Sequence, residues 1–336
     1  MVAVTLTDIA RHAGVSLATA SRVLNGSKRI PAENIARRVR ASALELGYVA
    51  NAQAQALARS ATGLVGLVVH DIADPYFSTI TRGAQRFAGQ QGTQILLAAA
   101  ERAGRAELDA VAIFVAYRTD GIILAGSRRA DPDDELAGEL GRYIANGGRV
   151  VTLGPSAIPG ARHLEIRNRD GAADLVAALI ARGLTDFAIL AGPTHLNTAR
   201  RRIEGYLDSL TAAGLQPLAV VPSDFSREGG LAAARQCWDQ LGPAQRSRRL
   251  CLLAVNDVMA MGAITGLRSL GVSVPEDVQV AGFDDIPTLK DFTPALTTVR
   301  LPLEDIGARA AELALTPGAG ESVQIDAEPV LRHSAG

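Results

Sequence analysis

Apolar and polar positions follow two different rhythms along this chain. Up to about residue 50 the spacing is helical. Thr5-Leu6-Thr7-Asp8 has the spacing of a capping box, and Ile9, Ala10 and Ala13 form an apolar stripe that Gly14 ends. Ser16 is placed to cap a second helix, with Ala20, Val23 and Leu24 at helical spacing and Asn25-Gly26 closing it. A third helix opens near Pro31 and runs through Ile35, Val39 and Leu46 to Gly47. Two helices joined by a tight glycine turn, with a third closing the core, predict a helix-turn-helix unit. Residues 51–58 favour a helix but carry almost no large apolar side chain. A helix that short holds only when something packs on it.

From Leu64 onward, short apolar runs alternate with amphipathic stretches of helical length. Strands are expected at 64–69, 94–97, 121–124, 149–153, 187–190, 218–221, 250–255 and 278–283. Apolar runs bounded by Gly, Pro and Asp and alternating with helices predict parallel sheets covered on both faces. Roughly 270 residues exceed one compact sheet, so two similar α/β lobes are expected. The boundary between them is placed near the Pro- and Gly-rich stretch 154–160. The expected division is a head at 1–50, a hinge helix and linker at 51–62 and a body at 63–336. Within the body, one lobe is assigned about 63–163 plus 301–320 and the other about 164–300 plus 321–336.

Charge sharpens this division. Residues 1–60 hold eight Arg or Lys against three Asp or Glu, a net +5, while the whole chain is at −1, which leaves −6 on the rest. A small basic head on an acidic body suits contact with a polyanion, although a solvated arginine face gives the same count. Of 336 residues, 48% are apolar and 21% charged, which excludes global disorder. Only two cysteines occur, as expected of a reducing compartment. There is no basic segment followed by an apolar core at the N-terminus and no run long enough to span a membrane, so the expectation is cytoplasmic. Phosphate-loop, dinucleotide and nucleophile-elbow motifs are absent, and the five histidines have no metal-ligand spacing, so neither a cofactor nor a metal is expected.

The stretch VTLTDIARHAGVSLATASRVLNG, starting at Val4, resembles the head of the lac repressor/galactose repressor family of bacterial transcription regulators. The likeness continues through Glu45-Leu46-Gly47-Tyr48, Asp74-Pro75-Tyr76-Phe77, Asp120-Gly121-Ile122-Ile123-Leu124 and Asn256-Asp257. It closes with Val274-Pro275-Glu276-Asp277-Val278, Gly282-Phe283-Asp284-Asp285 and Leu296-Thr297-Thr298-Val299, in order along essentially the whole chain. The resemblance implies an N-terminal helix-turn-helix domain and hinge helix on a periplasmic-binding-protein-like body of two Rossmann-like sheets. It also implies a homodimer, or a tetramer, on a palindromic operator, gated by a sugar-like effector.

The second helix is the expected reader of the major groove. Arg22 suits guanine O6 and N7, and the resemblance puts Leu17 and Ala18 at the positions that choose the operator, where both are apolar and could equally be plain helix surface. Thr5, Ser16, Thr19, Ser21 and Asn25 suit phosphate contacts or capping. In related proteins a hinge leucine wedges into the minor groove, a role that falls on Leu57; the alternative is packing on the third helix. A hydroxyl that relatives often carry is replaced by Pro31.

Ligands of such sheets lie at strand C-termini. The residues falling there are Asp74, Tyr76, Phe77, Thr198, Arg202, Phe225, Asn256 and Asp284, a set suited to a polyhydroxylated ligand. Thr198 and Arg202 share one helix face, and of Arg200-Arg201-Arg202 only Arg202 is expected to face the cleft. Tyr76 and Phe77 serve either cleft or core, Asp257 is expected to cap the following helix, and Asp285 to fix its loop. Two departures from the family stand out: Gly154 occupies a position where many sugar-responsive relatives carry a carboxylate, and Arg167 replaces a common Asp. They admit a phosphorylated or acidic effector, or a co-repressing nucleobase or nucleoside. A sugar-modifying α/β enzyme lacks its catalytic constellation here, and a transport-type binding protein lacks a signal peptide.

Overall fold

The computed structural model describes residues 4–25, 31–49, 61–100, 105–129, 134–246, 249–318 and 322–336. It contains two compact units, 1–63 and 64–336. Leu57 and the expected hinge helix lie outside the described residues.

The first unit is three helices, α1 (Leu6–His12), α2 (Leu17–Asn25) and α3 (Glu33–Glu45). Thr5 and Asp8 complete the capping box of α1, and Ser16 Oγ accepts from the Thr19 amide at 3.2 Å at the start of α2. Gly14 turns the chain between them with φ +61°, a conformation without steric cost only for glycine. Ile9, Ala10, Ala13, Ala20, Val39 and Ala43 form the core, small residues that let three short helices approach closely. α3 begins at Glu33, next to the expected opening near Pro31, with Ala32 as its N-cap.

The second unit begins with β1 (Leu64–Val69), α4 (Pro75–Gln90), β2 (Gln94–Ala99), α5 (Ala106–Ala116), β3 (Gly121–Leu124), α6 (Asp134–Ala145), β4 (Val150–Leu153) and β5 (Arg162–Ile166). It continues with α7 (Asn168–Ala181), β6 (Asp186–Ala191), α8 (Asn197–Ala212), β7 (Ala219–Pro222), α9 (Arg227–Gln240), β8 (Leu250–Ala254), α10 (Asp257–Ser269) and β9 (Gln279–Ala281). After a 3-10 turn at Pro287–Asp291 come β10 (Thr298–Arg300), α11 (Leu303–Leu315), β11 (Ser322–Ile325) and β12 (Glu328–Val330).

One sheet has the order β11-β5-β4-β3-β1-β2 and the other β7-β6-β8-β9, with every pairing parallel. The inner strands β3, β4 and β8 are buried along their length, whereas the edge strand β2 alternates with solvent. Helices α4 and α11 cover one face of the first sheet, and their contact closes through two glycines. A Cβ on Gly83 would stand 1.9 Å from the Glu304 carbonyl, and one on Gly307 equally close to that of Ile80. Among the described residues no helix is long and apolar enough to cross a membrane.

Two of the expected lobe boundaries shift by a few residues. The stretch 154–160 is a connection inside the first sheet, because β5 pairs with both β4 and β11. The chain therefore crosses between lobes just after Ile166, and β11 also belongs to the first lobe rather than the second. It crosses again between β10 and α11, and a third time between β11 and β12, which pairs antiparallel with β10. Strands β5, β10, β11 and β12 carry polar residues among too few apolar ones to stand out in the sequence.

Candidate functional site: an exposed helix face and an interlobe cleft

In the first unit, Ala20 faces the core while Leu17, Ala18 and Arg22 are exposed, Leu17 to 50%. At 100° per residue, positions 17, 18, 21 and 22 share one face of α2. The remaining short polar groups are already bonded locally. Thr5 Oγ1 donates to Asp8 at 2.6 Å, Ser16 and Thr19 hydroxyls lie 2.9 Å apart, and Asn25 Nδ2 donates to Ser21 Oγ at 3.0 Å. Arg37, Arg38 and Arg40 are exposed on α3.

In the second unit, the C-terminal ends of both sheets face each other across a cleft. All eight residues read from the sequence line one cavity there, together with His70, Ala125, Ser127, Leu153, Ile166 and Leu196. Its volume is about 30 Å³, room for one or two waters.

Arg202 dominates the wall. It is 1% exposed and belongs to α8, whose first turn follows β6. Its Nε donates to Asn168 Oδ1 at 2.8 Å, one terminal nitrogen to the Val255 carbonyl at 2.7 Å and the other to Asp284 Oδ1 at 2.7 Å. Its guanidinium carbon lies 3.8 Å from the centroid of the Phe283 ring. Three of five N–H groups are spent this way, leaving two for a ligand. Arg200 and Arg201 are exposed, as their helical phase requires.

Asp284 follows β9 with φ +120° and Asp285 has φ +53°, two consecutive non-glycine residues at positive φ. The surroundings hold them there. The Asp284 amide donates to the Val299 carbonyl at 2.8 Å, and the Asp285 carboxylate accepts from Arg300 at 2.9 Å and Arg332 at 2.7 Å. Burial pushes the Asp284 carboxyl up to about 6, against the pull of Arg202.

Asn256, not Asp257, caps α10: its Oδ1 accepts from the Met259 amide at 2.9 Å, which leaves its NH₂ to donate. Asp257 is instead fully buried and ties α10 to β10 and to the loop after β9, accepting from the Thr298 hydroxyl at 2.6 Å and the Ile286 amide at 3.0 Å. Asp74 caps α4 through the Tyr76 amide at 2.9 Å. Tyr76 and Phe77 meet edge-on at 5.0 Å; both line the cavity, and Phe77 also joins the core. The Phe225 ring is held against Gly192, where a Cβ would come within 2.5 Å of it. Ser127 accepts from the Thr198 amide at 3.2 Å.

The sequence reading missed His70, Ser127 and Asn168. His70 lies 5.8 Å from the Phe77 ring. Asn168, which orients Arg202, begins a helix directly after a strand end, the same signal that pointed to Asn256.

Residues 5–51 match the sequence model of bacterial regulatory proteins of the lacI family, and residues 176–335 that of a periplasmic binding protein-like domain. The HTH-type transcriptional regulator CelR of Thermobifida fusca is 32% identical over 95% of this chain and 93% of its own length. The GalR regulator of Escherichia coli K12 is 32% identical over 93% of this chain and 88% of its own. The structure of the lac repressor dimer bound to operator and the anti-inducer ONPF superposes with a TM-score of 0.84 at 27% identity, covering 99% of both chains. A CelR–cellobiose complex superposes with a TM-score of 0.70 at 29% identity, covering 99% of this chain and 100% of that one.

Proposed function

Since the chain belongs to the lacI family of bacterial regulatory proteins and is a DNA-binding transcription regulator, we propose that it acts as a homodimeric repressor in the cytoplasm, gated by a sugar-like effector in the interlobe cleft. One head reads a half-site, so a two-fold dimer on a palindromic operator is the natural arrangement. The lac repressor dimer on its operator and the CelR–cellobiose complex support this reading.

The observation that carries it is the pairing, in one chain, of an exposed Leu17–Arg22 helix face on a basic head with a cleft lined by Arg202, Asn256, Asp284 and Phe225. Phosphate contacts from Thr5, Ser16, Thr19, Ser21 and Asn25 set the register, Arg22 reads a guanine, and Leu17 and Ala18 touch or exclude a thymine methyl. Leu57 is the proposed minor-groove wedge. In the cleft, Arg202 and Asn256 donate to ligand hydroxyls, Asp284 and Asp74 accept, and Tyr76, Phe77 and Phe225 offer aromatic faces, with Thr198 at the rim. A ring cannot enter a cavity of this volume, so the lobes part to admit it and close on it. Closure that moves one lobe against the other changes how the two hinges meet, a coupling of ~1–3 kcal/mol in typical cases.

Selection of duplexes from a random pool, followed by gel shift, tests the regulator reading. The expected result is a palindromic consensus whose affinity falls steeply with salt and changes with one sugar of a panel that includes cellobiose. Equal affinity for all duplexes would overturn it.

A further inference from the structure

A second and larger cavity, of about 430 Å³, adjoins the first and shares Leu153, Ile166 and Thr198 with it. It has the volume of a small-molecule site, which the first does not. Five arginines line it, Arg128, Arg167, Arg169, Arg200 and Arg201, against two carboxylates, Glu165 and Asp170. Four of these arginines are met by carboxylates on or beside the wall, and Arg200 is the one without a carboxylate partner among the described residues.

Three features suit the cavity to an anion. Helices α7 and α8 both begin on its wall, at Asn168 and Asn197, and neither Arg167 nor Leu196 caps its helix with a side chain. Elsewhere in the body, α4, α9 and α10 are capped by Asp74, Ser226 and Asn256, whereas α5 and α11 also lack a side-chain cap. The first amides of α8 are taken by the Arg128 carbonyl and Ser127 Oγ, so it is the start of α7 that directs partial positive charge at this space. Next, Gly154 on the wall has φ +100°, and a Cβ there would meet no heavy atom within 4 Å. The position where the family likeness puts a carboxylate is open here, which leaves Glu165 and Asp170 as the acids on this wall.

The third feature is how the arginines are held. Arg128 is fixed by Glu107 at 2.9 and 2.5 Å and forms a rigid wall. Arg167 pairs with Asp170 at 2.9 Å and Asp326 at 3.5 Å, Arg169 with Asp208 at 2.6 Å and Arg201 with Glu204 at 3.8 Å. These three are about half exposed, and ion pairs in such positions contribute little and exchange readily. Arg200 is held only by the neutral Asn197 Oδ1, at 2.8 Å, among the described residues. A phosphate or carboxylate offers such guanidinium groups a bidentate partner.

We propose that the arginine-lined cavity is an oxyanion subsite, and that the effector carries a phosphate or carboxylate there while its hydroxylated part lies against Arg202, Asn256 and Asp284. This rests on the effector reading of the cleft and narrows it from sugars in general to acidic sugar derivatives. With the lobes parted, one molecule of sugar-phosphate size reaches both spaces across their shared wall of Leu153, Ile166 and Thr198.

The test uses the full chain and thermal unfolding at matched ionic strength. The panel contains inorganic phosphate, and neutral sugars each paired with its phosphate ester and its uronic acid. The expected result is that inorganic phosphate and at least one anionic sugar raise the melting temperature beyond any neutral parent. The phosphate and uronate arms separate the two sources of the oxyanion. In Arg167→Gln/Arg200→Gln the anion preference is expected to fall at least tenfold in apparent Kd, while operator binding without effector stays unchanged. Two results would overturn the subsite: no anion exceeding its neutral parent, or an equal anion response in the double variant. A neutral sugar that stabilises both proteins alike, and fails in Asp284→Asn, would sink the subsite while leaving the gated-regulator reading intact.

Discussion

Arg202 donates to Asp284 at 2.7 Å in a wall where both side chains are almost wholly withdrawn from water. The pair joins α8 to the loop after β9, and through Asn168 it reaches the point where the chain enters the second lobe. Removing one partner of such a pair costs about 3–5 kcal/mol, since the other charge stays buried without compensation. Arg202→Ala is expected to lose that much in urea unfolding and to abolish the effector response. Asp284→Asn keeps the shape and is expected to lose less stability but the same response. A loss below about 1 kcal/mol for Arg202→Ala would show that the wall does not depend on it.

Asp257 should make stability depend on pH in a direction unusual for a carboxylate. Burial, with nearby Asp284 adding to it, pushes this carboxyl up to about 8, while Thr298 and Ile286 pull it down. The folded chain then holds a proton at neutral pH that the unfolded chain releases near its ordinary value. Stability from this group is full below about pH 4 and is lost progressively as pH rises to about 8. Asp257→Asn can still accept from Ile286 and can donate to Thr298, so it should fold. Relative to this variant, the wild-type urea midpoint is expected to fall between pH 5 and 8. Parallel curves would refute the assignment.

Much of this was legible in the sequence, for identifiable reasons. The Thr5–Asp8 box and the Gly14 turn are local, so they could be read residue by residue. The central strands β1, β3, β6 and β8 are buried on both faces and leave unbroken apolar runs. Helical phase kept the three neighbouring arginines from all facing one way, and Thr198 one turn earlier together with the family resemblance singled out Arg202. What stayed hidden depends on partners distant in sequence. β5 and β11 form one ladder from segments about 160 residues apart, so nothing local assigned them to the first lobe. Asp257 looked like a cap because it starts a helix; its burial comes from Thr298 and Ile286 on other elements.

The α4–α11 contact is a packing prediction independent of function. Gly83 and Gly307 each leave no room for a methyl group beside a backbone carbonyl of the facing helix. Backbone cannot yield as a flexible side chain can, so Gly83→Ala must push the helices apart. The expected cost is about 1–3 kcal/mol in urea unfolding, with operator binding by the folded fraction unaffected. Unchanged stability would mean that the helices slide freely past each other.

Arg22 separates base reading from simple charge in the head. It is exposed on the same face of α2 as Leu17 and Ala18, four residues short of Gly26. If its guanidinium grips a guanine, Arg22→Ala should weaken the selected operator by about 1–3 kcal/mol and scrambled DNA far less. The slope of log affinity against log salt should change little, because a lost base contact releases few counterions. Removing a phosphate contact instead weakens all duplexes alike and lowers that slope by about one. Gel shifts on both duplexes across a salt series distinguish the two, and a uniform loss would assign Arg22 to the backbone and leave the apolar pair Leu17 and Ala18 as the remaining readers on that face.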